Sequence, residues 1–274
     1  MKFSVSPLFA SICLSVLLST AAQSCSKSES DEPTPEATPV VAAITGDDYS
    51  QVFQRDKSGN IRNYTLRDGN DAVSATYMFH RNGAVEIATD LTVAGQHTAY
   101  NDTVYISRGL AQYATGSWLG IWYRIDFSYD GSRLASVKWT QWNRDDMDAR
   151  RGRPWNWTNT LEWDGANLAR YIDWQGGGEA NRLTSTYTYS QLSSSEPFQV
   201  PFTIMPQYLP LQLDGIFGSL PANLIDTRTI EAADATTAIT YSYTIKGTRI
   251  TGFSEEYTGT LSDGPRDRRI EWDE

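Results

Sequence analysis

Beyond residue 50 the chain alternates. In "WLGIWYRIDFSYD", residues 118 to 130, Leu119, Ile121, Tyr123, Ile125, Phe127 and Tyr129 fall on one side. Trp118, Trp122, Arg124, Asp126 and Ser128 fall on the other. A period of two with one greasy and one polar side predicts a half-buried strand. Asp130-Gly131 follows, a dipeptide suited to a hairpin turn because its central residues take positive φ. "RLASVKWTQW" reads as the return strand.

The same unit recurs in "ATYMFHRNGAVEI" around Asn82-Gly83, in "NTLEWDGANLARYIDW" around Asp164-Gly165, and in "TYSYTIKGTRITGF" around Lys246-Gly247. Further strands are expected at Gln51 to Arg55, Ile61 to Arg67, Val104 to Arg108, Leu183 to Tyr189 and Arg268 to Trp272. Their spacing is irregular, so the pattern predicts a meander of antiparallel hairpins rather than a strict repeat. The expected fold is all-β, a strongly curved sheet or barrel-like shell. One stretch breaks the rhythm: "PFQVPFTIMPQYLPLQLDGIFGSLPANLIDTR", residues 197 to 228. Its prolines interrupt ladders, and it reads as a crossing or capping segment with one helical turn near Leu211 to Phe217.

The first residues follow another rule. Lys2 precedes the apolar run "FSVSPLFASICLSVLL", the form of a secretory signal. The run is shorter than the roughly 20 residues that a spanning helix needs. Cys13 leaves with that signal, so Cys25 is the one cysteine expected in the mature chain. It has no disulfide partner. The "SKSESDEPTPEATP" behind it offers no structured pocket for a nucleophile. Preceded by Ala21-Ala22-Gln23-Ser24, Cys25 resembles the lipidated cysteine of a bacterial lipobox, with Ala22 where Leu is commonest. Burial of about 0.8 kcal/mol per CH2 holds such an anchor firmly when more than one acyl chain is attached. Ser, Glu, Pro, Thr and Ala then form a tether too polar to fold. Its Glu29, Asp31 and Glu32 resemble the acidic sorting signal of surface lipoproteins in Bacteroidetes-type bacteria. The expected organisation is a signal over 1–24, a lipid-anchored tether over 25–46 and a single all-β domain over 47–274. The expected location is the bacterial outer membrane, exposed at the cell surface.

Taken together, the lipobox, the acidic tether, hairpins such as "YDGSRL" and the late "GIFGSLPANLI" resemble a family of Bacteroidetes lipoproteins. That family is described as a domain of unknown function with a porin-like fold. The resemblance covers residues 50 to 274 and implies a curved antiparallel shell. The family has no assigned catalytic residues to carry over.

Composition narrows the chemistry. The formal charge is −10, which disfavours nucleic acid, whose binding rests on Lys and Arg contacts to phosphate. Histidine occurs only as His80 and His97, so zinc and Ser-His-Asp chemistry have little to draw on. No metal ligands, cofactor or catalytic residues are expected. Asp145, Asp146 and Asp148 in "NRDDMDARRGRP" lie in one hairpin loop and lack the separation across a cleft that glycoside hydrolysis requires.

Eight of the nine tryptophans fall between Trp118 and Trp174. With Asp164-Gly165 as the loop, Trp155, Trp157, Trp163 and Trp174 share a face with Leu161 and read as core. With Asp130-Gly131 as the loop, Trp122 opposes Trp139 on the face that carries Arg124 and Asp126. These four residues form the expected binding platform for a glycan or an envelope protein partner. Asp102-Thr103-Val104 resembles a short O-glycosylation sequon with Thr103 as acceptor. Two alternatives stand beside the non-enzymatic binding module: a hydrolase acting on polysaccharide or peptide, and a carrier of a hydrophobic ligand inside the shell.

Overall fold

The computed structural model describes residues 40–118, 120–143, 154–174, 179–193, 198–260 and 264–273. The signal, Cys25 and the loop with Asp145, Asp146 and Asp148 lie outside them. Sixteen strands run in chain order. The first eight are β1 (Val40–Gly46), β2 (Tyr49–Arg55), β3 (Ile61–Asp68), β4 (Asp71–Phe79), β5 (Ala84–Val93), β6 (Gln96–Ser107), β7 (Leu110–Trp118) and β8 (Ile121–Asp130). The second eight are β9 (Arg133–Asn143), β10 (Trp155–Asp164), β11 (Asn167–Asp173), β12 (Leu183–Ser193), β13 (Asn223–Ala232), β14 (Ala235–Lys246), β15 (Arg249–Gly259) and β16 (Arg266–Asp273). Each pairs antiparallel with its neighbour, and β1 pairs with β16 to close a barrel. The expected meander is thus a complete ring.

Domain organisation differs at one edge. Val40–Gly46 was expected to belong to the tether, but it forms the closing strand. Its Val41 and Ile44 turn inward and are buried, so these residues bury enough apolar surface to join the ladder between β2 and β16.

Inward positions are apolar and aromatic: Tyr64 and Leu66 on β3, Val73 and Tyr77 on β4, Val85 and Ile87 on β5, Ile125 and Phe127 on β8. Outward positions include many charged and polar groups, among them Arg62, Ser74, Glu86, Asp90, Glu162, Arg170, Glu256 and Glu271, with Met78 and an aromatic cluster on β6 to β9 as apolar exceptions. A membrane-spanning barrel carries the opposite arrangement, with an apolar band outside and polar groups within. The described outer wall therefore suits water.

A ring of this strand number encloses more space than its own side chains fill; barrels of 16 to 18 strands typically hold an aqueous channel. Here the proline-rich segment occupies that space. It contains a 3-10 turn at Pro206–Tyr208 and a short helix, α1, at Leu209–Leu213, four residues earlier at its end than the expected helical turn. Phe198, Val200, Phe202, Tyr208, Leu211 and Phe217 are all buried. They meet the wall on several sides. Phe198 packs on Phe253, Phe202 stacks on Tyr171 at 4.8 Å, and Phe217 meets Phe127 edge-on at 4.9 Å. Tyr77 donates to the Gln207 carbonyl at 2.6 Å, and Tyr187 donates to the Pro201 carbonyl at 2.5 Å. The volume in which a carried hydrophobic ligand would sit thus holds this plug.

The plug also seals the end of the barrel at which it enters. The Ala111 amide donates to the Ile216 carbonyl, Ser219 to Ser132, and Ala222 to Ala166. Arg55 grips Asp214 just beyond α1 with two bonds of 2.7 and 3.0 Å. Burial raises the Asp214 pKa, and Arg55 opposes that shift. Nearer the other end, Arg268 of β16 lies over the Tyr49 ring at 4.1 Å and 3.9 Å from Glu255 of β15. Gly46 makes room for it: a Cβ there would stand 2.6 Å from Arg268 Nη1. This packing pins the closing seam.

Removing one member of a buried pair strands the other charge. Arg55→Ala is expected to cost about 3 kcal/mol in urea unfolding, and adding Asp214→Asn to it is expected to restore part of the loss. An unchanged midpoint for Arg55→Ala would contradict this role for the clamp.

Candidate functional site: an aromatic platform on the outer wall

Hairpin register decides which side chains meet. At the β8–β9 turn Asp130 pairs with Arg133, leaving Gly131 and Ser132 as the loop. Gly131 alone has positive φ (60°), the II′ pattern with glycine first, rather than the I′ pattern expected for Asp130-Gly131. A bulge then follows on β9, where Ala135 is the extra residue facing Ser128 and Tyr129. One extra residue flips every later side chain on that strand to the other face. Trp139 therefore pairs with Ile125 and points inward, stacked on Trp157 at 5.5 Å. The expected partnership of Trp122 with Trp139 is corrected: the residue opposite Trp122 is Trp142. The β10–β11 hairpin behaves alike, with a Gly165-Ala166 loop and a bulge at Ala169 on β11. Trp163 remains packed against the core and Trp157 is half-buried against Trp139, but Trp155, expected in the core, is 60% exposed at the strand end.

Arg124 and Asp126 keep their expected outward place. They form an ion pair at 2.6 Å. The guanidinium of Arg124 also lies 4.0 Å above the Tyr113 ring, which stacks on Tyr105 at 4.4 Å. Tyr105, Tyr113 and Arg124 thus make one continuous stack across three strands. Trp122 and Trp142 stand beside it on β8 and β9, both half-buried, and the Trp122 indole N–H has no hydrogen-bond partner. Thr140 and Asn156 extend the row, joined at 2.9 Å. Thr103 lies in the row of Arg124, with Thr115 between them, and is half-buried on the outer face. Sequence reading missed Trp142, Tyr105 and Tyr113. The hairpin "YISRGLAQY", with Arg108 and Gly109 both at positive φ, carries a signal for the tyrosine pair.

The inner face of the same wall is locked. Asp102, one residue before Thr103, is only 1% exposed. Tyr123 donates to its Oδ1, and Gln207 of the plug donates to its Oδ2 at 2.6 Å. The Tyr208 hydroxyl lies close without completing a bond of normal geometry. Gly116 opposes both residues, and a Cβ there would overlap the Asp102 carboxylate and stand 2.5 Å from the Tyr123 hydroxyl. Burial pushes the Asp102 pKa up to about 6, against the pull of these donors. Across the barrel, burial raises Glu255 to about 7, with Arg268 pulling the other way. Both carboxyls sit inside the packed interior, where they serve the fold. No group of three or more His, Cys, Asp or Glu suited to a metal occurs among the described residues.

No protein-family model matches the chain, and no characterised protein matches it by sequence. Its fold is that of porin-like barrels. The chain is similar to the crystal structure of a porin-like protein from Bacteroides uniformis, with TM-score 0.59 and 14% identity over 88% of this chain and 100% of that one. A porin-like protein from Bacteroides vulgatus gives TM-score 0.57 and 11% identity over 85% of this chain and 98% of that one. At this identity the likeness is one of architecture.

The raised carboxyls set a pH dependence. Between about pH 4 and pH 7 the folded protein keeps protons on Asp102 and Glu255 that the unfolded chain has released. Their contribution to stability is full below about pH 4 and is lost as pH rises through about 6 and then about 7. Asp102→Asn is expected to flatten the fall in urea midpoint between pH 4 and 6, while Glu255→Gln flattens it between pH 5 and 7. Profiles that retain the wild-type slope would remove these groups as its source.

Proposed function

We propose that this chain is a lipid-anchored protein of the bacterial cell envelope that binds glycan on the outer wall of its barrel. The observation that carries the reading is the joining of Trp122 and Trp142 with the Tyr105–Tyr113–Arg124 stack on one rigid face. Indoles offer flat apolar surface to the C–H faces of sugar rings. Arg124, Asp126, Thr140 and Asn156 supply donors and acceptors for hydroxyls around them. The Asp102–Tyr123–Gln207 network behind the wall holds the strands in place, so little ordering entropy is lost on binding. Cys25 supplies the anchor, and the acidic tether behind it reaches the cell surface. Thr103 is a proposed O-glycan acceptor. A glycan there would lie on the platform itself, so Thr103→Ala separates the protein's own sugar from an added one.

Two experiments test this. On a panel of immobilised envelope and dietary glycans, the full-length protein is expected to be retained, and the Trp122→Ala/Trp142→Ala double variant to lose at least tenfold in affinity. Retention unchanged by the double variant would place the site elsewhere. Metabolic labelling with palmitate is expected to mark the wild type, whereas Cys25→Ser is unlabelled and leaves the membrane fraction. Label on Cys25→Ser would contradict the anchor.

A further inference from the structure

We infer that the ligand of this platform is a neutral, linear glycan of several units laid along the strands, and that Asp126 selects against acidic glycans. The inference rests on the glycan reading above and adds charge and length to it.

Charge comes from the pairing of Arg124. An arginine that reads a carboxylate or sulfate presents two parallel N–H groups to it. Here Asp126 already takes that role, with its Oδ1 at 2.6 Å from Nη2 and 2.8 Å from Nε. Asp126 raises the Arg124 pKa, which marks a cation satisfied by its neighbour. One flat side of the guanidinium is covered by Tyr113. Glu86 lies in the same cross-strand row, beyond Thr103 and Thr115. The chain as a whole carries −10. Lys138, exposed on β9, lies opposite Asp126, so two cations and two carboxylates share this face. An anionic sugar would meet an arginine already neutralised by its neighbour and a lysine set directly against the Asp126 carboxylate. A neutral sugar meets an ion pair whose free lone pairs and N–H groups suit hydroxyls.

Length comes from the strand repeat. Trp122 and Asp126 lie four residues apart on β8, and Tyr113 is opposite Asp126. At about 3.4 Å per residue this separates the indole and tyrosine rows by roughly 14 Å, well beyond the width of one sugar ring. Trp142, next to Trp122 on β9, widens the indole end. A chain of rings running along β8 covers the indoles, Arg124 and Asp126 in turn, while a single ring covers only one of them.

Titration calorimetry on the full-length Thr103→Ala protein in detergent tests both parts. The probes are neutral cello-, manno- and laminari-oligosaccharides of one to six units, and oligogalacturonates and chondroitin sulfate oligomers of matched length. At least one neutral series is expected to bind, with affinity rising at least tenfold from one unit to four or more. The acidic series is expected to bind at least tenfold more weakly at low salt. Asp126→Asn frees Arg124 and is expected to raise affinity for the acidic series severalfold. Tighter binding of acidic oligomers by the unmutated platform would overturn the charge inference, and equal affinity for one and six units would overturn the length inference. Either result leaves the glycan reading standing. Binding of none of these sugars overturns both the inference and that reading.

Discussion

The structure depends on how its interior is filled. Sixteen strands closed into a ring leave a lumen that inward side chains alone do not span. This chain fills it with its own residues from Phe198 to Pro221 and packs them against strands on every side. Once the lumen is packed, the usual division of a porin wall reverses. The inward face becomes core, and the outward face carries the polar and charged groups. Tyrosine suits this inward face because each ring adds apolar area and its hydroxyl reaches a plug carbonyl or amide. Tyr77, Tyr100, Tyr187 and Tyr243 all bond to the plug in this way.

That filling also has consequences outside. A sheet face that binds through stacked side chains needs a stiff backbone behind it. On β6 to β8 the stiffness comes from a buried carboxylate, two tyrosines and a plug glutamine, with Gly116 leaving the gap they need. The recognition face and the core lock are alternate residues of the same strands: Thr103 follows Asp102, and Trp122 and Arg124 flank Tyr123. A change to the inner set is therefore felt at the outer one through the backbone they share.

Much of the fold was legible in the chain because alternation is a local signal. Strand residues, hairpin glycines and the proline-rich interruption are all marked in the sequence. Cross-strand partners were not, for a physical reason. A bulge adds one residue without any strong residue preference, and the bulge at Ala135 moved Trp139 from the outer face to the inner one. Closure was hidden as well, since "VVAAITG" is a short strand whose partner lies over two hundred residues away. Burial of the irregular segment was not visible either: prolines announce that it leaves the ladder, but not that it turns into the barrel. Of the candidate site, Trp122, Arg124 and Asp126 were legible because they share one strand. Trp142, Tyr105 and Tyr113 required the register.

The most direct measurement is a crystal structure of the protein with a neutral linear hexasaccharide bound. The account predicts sugar rings over Trp122 and Trp142, with the chain running along β8 past Arg124 toward Asp126 and Tyr113. Sugar density instead around the exposed Trp155, or in the polar hollow formed by Thr45, Lys246, Asp267 and Arg269, would contradict it.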